Sequence, residues 1–307
     1  MFSVERQKLI DDIGDERIIK YFYLDLDVHQ LINRMENLSL SGIGNDENIP
    51  FTAKLRDYHG ATDEAGDPWL VKEIPKNEIY EHKLQEIAYY IDFMVNTMAA
   101  PNVIKKIDGR YYRTTKLVPG ALQIGSYNFL QRPFLTVLAN DLINRWLFFD
   151  EDRNPNNYMV LSNSKGHSFV VVIDYNKADL WSKGMKIKGT ESHFGWERKG
   201  KTRFLTLLKP DNFKNLSIED FEERLGALER LEKPEIRGIC FKVFTGYIED
   251  PEAAADLVAA NLDERRNYIT NYFRVWFKEK DLAKSKAEDD RYSGFGKSFM
   301  DYYKDGK

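Results

Sequence analysis

The sequence predicts an α+β chain of two lobes, a small antiparallel β lobe with one inserted helix and a larger, mainly helical C-terminal lobe. Three observations carry this. Short apolar runs separated by Gly, Asn and Asp crowd residues 37–118. A helical pattern over 77–98 interrupts them after the third run, and beyond Pro119-Gly120 the apolar spacing turns helical. At 307 residues the chain is long enough for one continuous two-lobed domain or for two cores, since single cores stop growing near ~250–300 residues.

Residues 1–36 read as a helical lead-in of mixed charge, with a short amphipathic helix over 25–35. Strands are expected at 37–43, 49–57 and 69–74. Gly42-Ile43-Gly44-Asn45-Asp46 parts the first two and a turn-rich stretch, 59–68, the last two, which implies an antiparallel meander. In the helix over 77–98, Ile79, Leu84, Ile87, Ala88, Ile91 and Met94 supply the apolar face, and Pro101 follows its end. Two further strands, 103–107 and 111–118, flank Asp108-Gly109, a strong hairpin signal. These segments make a small lobe over 37–118. The large lobe, 119–282, holds an apolar segment over 129–149, a hairpin of 158–161 with 168–173, and helices over 217–231, 234–247 and 251–278. The charged, then Gly/Tyr-rich tail, 283–307, is expected to be loosely held.

Hydrophobic residues at 42% and charged residues at 31% are ordinary for a globular protein and argue against wholesale disorder. A net charge of −4 argues against a general nucleic-acid binder, whose phosphate contacts demand a basic surplus. No run approaches the ~18 apolar residues of a membrane span, the first residues lack the apolar stretch of a signal peptide, and the single Cys240 cannot form an intrachain disulfide. The expected address is therefore the cytoplasm. Cys240, among Ile236, Ile239, Phe241 and Val243, reads as a buried apolar residue. His29, His59, His82, His167 and His193 are dispersed, with no pair at metal-ligand spacing.

The stretch richest in chemistry is Asp152-Arg153-Asn154-Pro155-Asn156-Asn157, followed after a short hairpin by Val171-Val172-Ile173-Asp174. An Asp, an Asn five residues on and a second Asp at the end of an apolar strand form the carboxylate and carboxamide set that phosphoryl transfer needs around Mg²⁺. Asp152 follows the apolar Trp146-Leu147-Phe148-Phe149, so its loop is mounted on rigid packing, and it can orient the proton of an attacking hydroxyl. Asn157 and Asp174 are the candidate metal ligands. A plain Asx-rich turn accounts for the first stretch equally well when it is taken alone. Asp150 and Glu151 compete as solvated loop charges, but only Asp152 has Asn at the fifth following position.

Lys72, alternating with apolar neighbours in Trp69-Leu70-Val71-Lys72, can project into a cleft and neutralise phosphate, or simply guard a sheet edge. Glu86 on the following helix is its expected ion-pair partner, ahead of Glu78 and Glu81. Ser41-Gly42-Ile43-Gly44 could wrap phosphates with backbone N–H groups, or form an ordinary hairpin. The basic stretch with Lys183, Lys186, Lys188, Arg198, Lys199, Lys201 and Arg203, interleaved with Trp181, Phe194 and Trp196, suits an acidic partner or a solvated loop.

Together these segments resemble the HipA-like branch of the protein-kinase-like superfamily and its relatives, the type II phosphatidylinositol 4-kinases. Asp152-Arg153-Asn154-Pro155-Asn156-Asn157-Tyr158 is similar to the Asp-Arg-x-x-x-Asn catalytic loop of those families, and Ile173-Asp174 to their metal-binding strand end. Glu86 lies fifteen residues before Pro101, a spacing similar to that of HipA-like small lobes. The resemblance covers roughly 39–180. It implies an ATP- and Mg²⁺-dependent kinase in which Lys72 holds phosphates, Glu86 positions Lys72, Asp152 serves the acceptor, Asn157 and Asp174 hold the ion, and the adenine hinge falls at Lys116 to Val118. It further implies a protein serine or threonine as acceptor, self-modification at Ser39 or Ser41, and an antitoxin or other regulatory partner. A lipid kinase, a kinase-fold binding module and a nucleotidyl transferase are the alternatives. The chain departs from the pattern in reading Asp174-Tyr175-Asn176 instead of Asp-Phe-Gly, and in lacking the third glycine of the phosphate loop.

Overall fold

The computed structural model describes residues 3–47, 49–150, 152, 155–184, 186–189, 194–198, 201–204 and 216–289. Its first elements are α1 (Val4–Ile13), α2 (Glu16–Tyr21) and α3 (Val28–Glu36). Ser3 caps α1 by accepting the Arg6 N–H, and Asp27 with Gln30 forms a reciprocal capping box at the start of α3. These helices are packed in, not appended: Leu31, Ile32 and Met35 are buried in the main core. Arg6 donates to the Phe93 carbonyl and to Asn96, and Asn163 Nδ2 donates to the Ile13 carbonyl at 2.8 Å.

The small lobe follows with α4 (Phe51–Lys54), β1 (His59–Thr62), β2 (Pro68–Ile74), α5 (Ile79–Met94), β3 (Asn102–Ile107) and β4 (Arg110–Lys116). Its sheet is antiparallel in the order β1-β2-β4-β3, with α5 inserted after β2. The β3–β4 hairpin turns where expected, with positive φ at both Asp108 (49°) and Gly109 (81°), the two left-handed residues that match the twist of the flanking strands.

Two expected strands are corrected. Residues 37–43 reduce to an isolated antiparallel bridge between Ser41 and Thr62, because Gly42 and Gly44, both at positive φ, turn the chain away. Residues 49–57 form α4 and a turn instead, and Pro50, which cannot donate to a ladder, begins them with its carbonyl accepting from Ala53. The region taken for turn, 59–68, supplies β1. Gly60 has a steric reason there: a Cβ would fall 2.0 Å from the Asn45 carbonyl oxygen.

The second half comprises β5 (Leu122–Gln123), α6 (Phe134–Leu147), β6 (Tyr158–Ser162), β7 (Ser168–Val172), β8 (Lys186–Gly189), β9 (Phe194–Arg198), β10 (Lys201–Phe204), α7 (Glu222–Arg230), α8 (Lys233–Phe244) and α9 (Pro251–Asp289). β5, β6 and β7 form one small antiparallel sheet, and β8, β9 and β10 another. α9 packs on α6, α7 and α8 and continues past the expected end at 278, while the rest of the tail lies outside the described residues. Among the described residues no helix is long and apolar enough to cross a membrane. The halves meet where the chain leaving α5 joins β7, through Ala100 N–H to Val172 O and Val172 N–H to Met98 O, each 2.9 Å. One hydrophobic cluster runs through both, from Trp69 and Ile87 to Trp146, Cys240 and Phe273. The α+β, two-lobed class expected from the sequence is the class observed.

Candidate active site

α6 ends in a sharp change of direction, with Phe149 in the left-handed region (φ 49°) and Asp150 N–H bonded to the Arg145 carbonyl at 2.9 Å. Asp150 is 1% exposed and is no solvated loop charge: its Oδ1 accepts the Asp152 N–H at 3.0 Å, and its Oδ2 lies 3.2 Å from Arg145 Nη1. The Asp152 backbone is thus fixed from behind while its side chain is exposed. Glu151 lies outside the described residues.

The other two members of the expected set join Asp152 through the backbone. Asn157 is buried and donates Nδ2 to the Asp152 carbonyl, which leaves Oδ1, the metal-type donor, on the far side of the amide. The Asn157 carbonyl in turn accepts the Ile173 N–H at 3.0 Å, and Asp174 is the next residue. Positions 152, 157 and 174 are therefore linked by two hydrogen bonds and one peptide bond.

Asp174 sits at φ 67°. Of the two residues that depart from Asp-Phe-Gly, Asn176 bonds it directly. Asn176 donates its N–H to Oδ1 at 3.0 Å and its Nδ2 to Oδ2 at 2.8 Å. Tyr175 is buried, and its hydroxyl donates to Asp92 of α5 at 2.7 Å.

Behind the loop is a buried polar network. Arg145 is in contact with Asp92, Asp141 and Asp150, all at most 2% exposed. Asn144 donates to Asp92 and Thr97, and Tyr158 OH donates to Asp141. Burial pushes the Asp92 carboxyl above its ordinary range against the pull of Arg145, and Arg145 is held well above its own because the three carboxylates outweigh the cost of its burial.

The expected Lys72–Glu86 pair is not formed. Lys72 Nζ donates to the Arg56 carbonyl at 2.9 Å and lies 5.7 Å from the centre of the Tyr58 ring. Glu86 is buried on another face of α5, where Oε2 accepts from Lys83 Nζ at 2.8 Å and from the Ile104 N–H at 3.0 Å, and Oε1 from Tyr90. The reason is helical phase: Glu86 lies toward β3, and each residue step turns a side chain by ~100°. Glu78 is 3.8 Å from His82 Nε2, and burial, then the nearby charge of Arg113, hold His82 below its usual range despite its bond to Gln85.

The side chain of Lys116, the first residue of the expected hinge, is directed away from Lys72. It pairs in register with Trp69, so strand alternation sends it to the face opposite Lys72. There Nζ donates to Tyr21 O at 3.0 Å and Tyr23 OH at 3.2 Å and pairs with Asp67 at 2.6 Å. The Leu117 carbonyl accepts from Tyr21 OH, and Val118 is buried. Gly42 and Gly44 form an open turn at the sheet edge, with Gly44 N–H on Gly60 O at 3.1 Å, and Ser41 is exposed beside it. Of the basic stretch after Asp174, Lys183 is exposed, Lys199 lies outside the described residues, and so do the side chains of β8 to β10.

The cation that does meet Asp174 is Arg113, which the sequence reading did not single out. It is the register partner of Lys72 on β4, and its Nη2 lies 2.9 Å from Asp174 Oδ1 while Nη1 donates to Asn176 Oδ1. Burial works against its charge, but Tyr58, whose hydroxyl bonds it, and Asp174 outweigh that, and the guanidinium is raised above its ordinary value. The signal was available only through register: once β2 and β4 pair, Arg113 and Lys72 must share a face.

Hard oxygen donors at Asp174 and Asn157 beside a cation fit a magnesium–nucleotide complex, in which the ion takes one or two protein oxygens and the phosphates complete its shell. Among the described residues there is no group of three or more His, Cys, Asp or Glu that could hold a metal by itself.

No family model matches the sequence, and no curated protein is significantly similar to it. Similar solved structures include the Helicobacter pylori proinflammatory kinase CtkA, at 12% identity over 70% of this chain and 88% of that one, with a TM-score of 0.44. A chain of the Shewanella oneidensis HipA, HipB and operator DNA complex matches at 9% identity over 92% of this chain and 74% of its own, with a TM-score of 0.35. An aminoglycoside phosphotransferase from Alicyclobacillus acidocaldarius matches at 12% identity over 81% and 96%, with a TM-score of 0.27. Scores of this size carry no residue-by-residue correspondence.

Proposed function

We propose that this chain is an ATP- and Mg²⁺-dependent phosphotransferase that delivers the γ-phosphoryl group to a hydroxyl, most simply that of a protein serine or threonine. The observation that carries the reading is the single backbone-linked cluster of Asp152, Asn157 and Asp174, with a buried guanidinium on Asp174. A scaffold would have no need of two carboxylates and a carboxamide linked in this way. When bound, the ion offsets charge on the transferring group and its leaving oxygen. Asp174 and Asn157 Oδ1 would hold it. Asp152, exposed on a loop anchored by Asp150, accepts or orients the proton of the incoming hydroxyl, a role worth roughly 10²–10⁴-fold. Ser39 and Ser41, both exposed on the segment leading into β1, are candidate acceptors within the chain.

The test offers γ-labelled and α-labelled ATP in parallel to the wild type, Asp152→Asn and Asp174→Ala, with Mg²⁺ and a generic protein acceptor. Label from the γ position alone, lost in Asp174→Ala and reduced at least ~100-fold in Asp152→Asn, is the expected result. Transfer from the α position redirects the reading to a nucleotidyl transferase, and γ-label that survives both substitutions removes it.

A further inference from the structure

Taking that reading as its basis, we infer that Arg113 rather than Lys72 is the cation that receives the nucleotide phosphates, and that its pair with Asp174 is a resting state which keeps the divalent ion out until nucleotide arrives. Four observations lead here. Arg113 is 6% exposed on the face of β4 that it shares with Lys72. Its fork is spread over Asp174 and Asn176, whereas Lys72 is turned onto a backbone carbonyl of the preceding turn. Its Nε is buried with no hydrogen-bond partner, an unsatisfied charged donor beside the candidate metal carboxylate. Finally, Tyr58, on the segment before β1, is near both cations: its ring centre is 5.7 Å from Lys72 Nζ, and it contributes to holding the Arg113 charge.

The electrostatics follow from charge counting. The Asp174 side chain is only 22% exposed, and Arg113 supplies it with a counter-charge when no metal is present. A dication arriving alone would meet a guanidinium already at that oxygen, and the two repel. A dication arriving with a triphosphate brings enough negative charge for both. Arg113 then exchanges the carboxylate for phosphate oxygens, which its planar fork binds in a two-pronged geometry that an ammonium cannot match. Metal and nucleotide binding are thereby coupled, and the coupling is reciprocal.

The test measures Mn²⁺ binding by paramagnetic resonance, with and without a non-hydrolysable ATP analogue, and analogue binding by calorimetry. The variants are Arg113→Met, Arg113→Lys and, as a control, Arg110→Met, whose side chain pairs with Glu73 at the exposed end of the same strand. Thermal melts confirm that each is folded. In Arg113→Met, Mn²⁺ alone should bind about tenfold more tightly than in the wild type and the analogue about 10- to 100-fold more weakly, the scale of a lost charged hydrogen-bond pair. Arg113→Lys should keep the wild type's weak binding of Mn²⁺ alone yet lose analogue affinity, because charge remains and the fork is gone. Arg110→Met should change neither. Wild-type affinities for both ligands in folded Arg113→Met would overturn the inference and leave the kinase reading intact, whereas a wild type that binds no analogue even with Mn²⁺ would overturn both.

Discussion

Replacing Arg145 with Met tests whether the loop of Asp152 is mounted on a buried ionic network. Arg145 is 0% exposed and contacts three carboxylates, with Asp141 and Asp150 each at 3.2 Å and Asp92 closer. Removing one partner of a buried pair typically costs ~3–5 kcal/mol, because the other charge is left behind. Three carboxylates remain here, but each keeps a donor: Tyr175 and Asn144 for Asp92, Tyr158 for Asp141, and the Asp152 N–H for Asp150. The expected loss at neutral pH is therefore about 5 kcal/mol and not a multiple of it, still a large share of the ~5–15 kcal/mol that holds most proteins folded. The sign with pH is also fixed. Burial already raises the Asp92 carboxyl, and without the guanidinium it rises further above the unfolded value. The folded variant then binds more protons than the unfolded chain, so it loses stability as pH climbs through that window, and its deficit against wild type grows from about pH 5 to about pH 7.5. Urea unfolding followed by tryptophan fluorescence at the two pH values measures this. A deficit below about 1 kcal/mol, or one of equal size at both, would refute the reasoning.

Two further outcomes follow from the site. A double-mutant cycle on folding stability should give Lys83 and Glu86, 2.8 Å apart and almost fully buried, a coupling of roughly 1–3 kcal/mol, and Lys72 with Glu86 no more than ~0.3 kcal/mol; the reverse order would restore the pairing expected from sequence. His82 is held below its usual range by burial and by Arg113, so the unfolded chain binds its proton first and stability falls as pH drops through ~6.5. The difference in unfolding free energy between wild type and His82→Gln should therefore shift in favour of the variant on acidification from about pH 7.5 to about pH 5.5, and a constant difference would count against it.

What was legible in the sequence is what local periodicity encodes. The α5 helix, the Asp108-Gly109 hairpin and the β6–β7 hairpin ending at Asp174 all carry their own signals. The linkage of 152, 157 and 174 could be anticipated because it is nearly local, a loop closing onto the next hairpin. The Lys72–Glu86 pairing failed because it depends on helix phase across two elements, where a slip of one residue moves a side chain to another face. Residues 37–57 misled for a different reason: isolated apolar positions there pack around turns set by Gly42, Gly44 and Pro50 rather than alternating across a ladder. Asp141, Asn144 and Arg145 were hidden inside a segment read as apolar. Asp150 and Tyr158 follow closely in the chain, but Asp92 lies 53 residues before Arg145 and Tyr175 lies 83 residues after Asp92, so no short window of sequence holds the network together.

The three N-terminal helices act as a splint across the two lobes. On one side Tyr21 is bonded to the Leu117 carbonyl and Lys105 reaches the carbonyls of Met35 and Glu36; on the other, Asn163 holds the Ile13 carbonyl, Lys242 holds Asn33, and Lys8 meets Glu223. Rocking of the sheet over the helical half must either carry this segment with it or break these bonds, of which Asn163 to the Ile13 carbonyl is buried. The segment that precedes the sheet in the chain thus ties it to the helical half from behind, by bonds that lie away from Asp152 and Asp174.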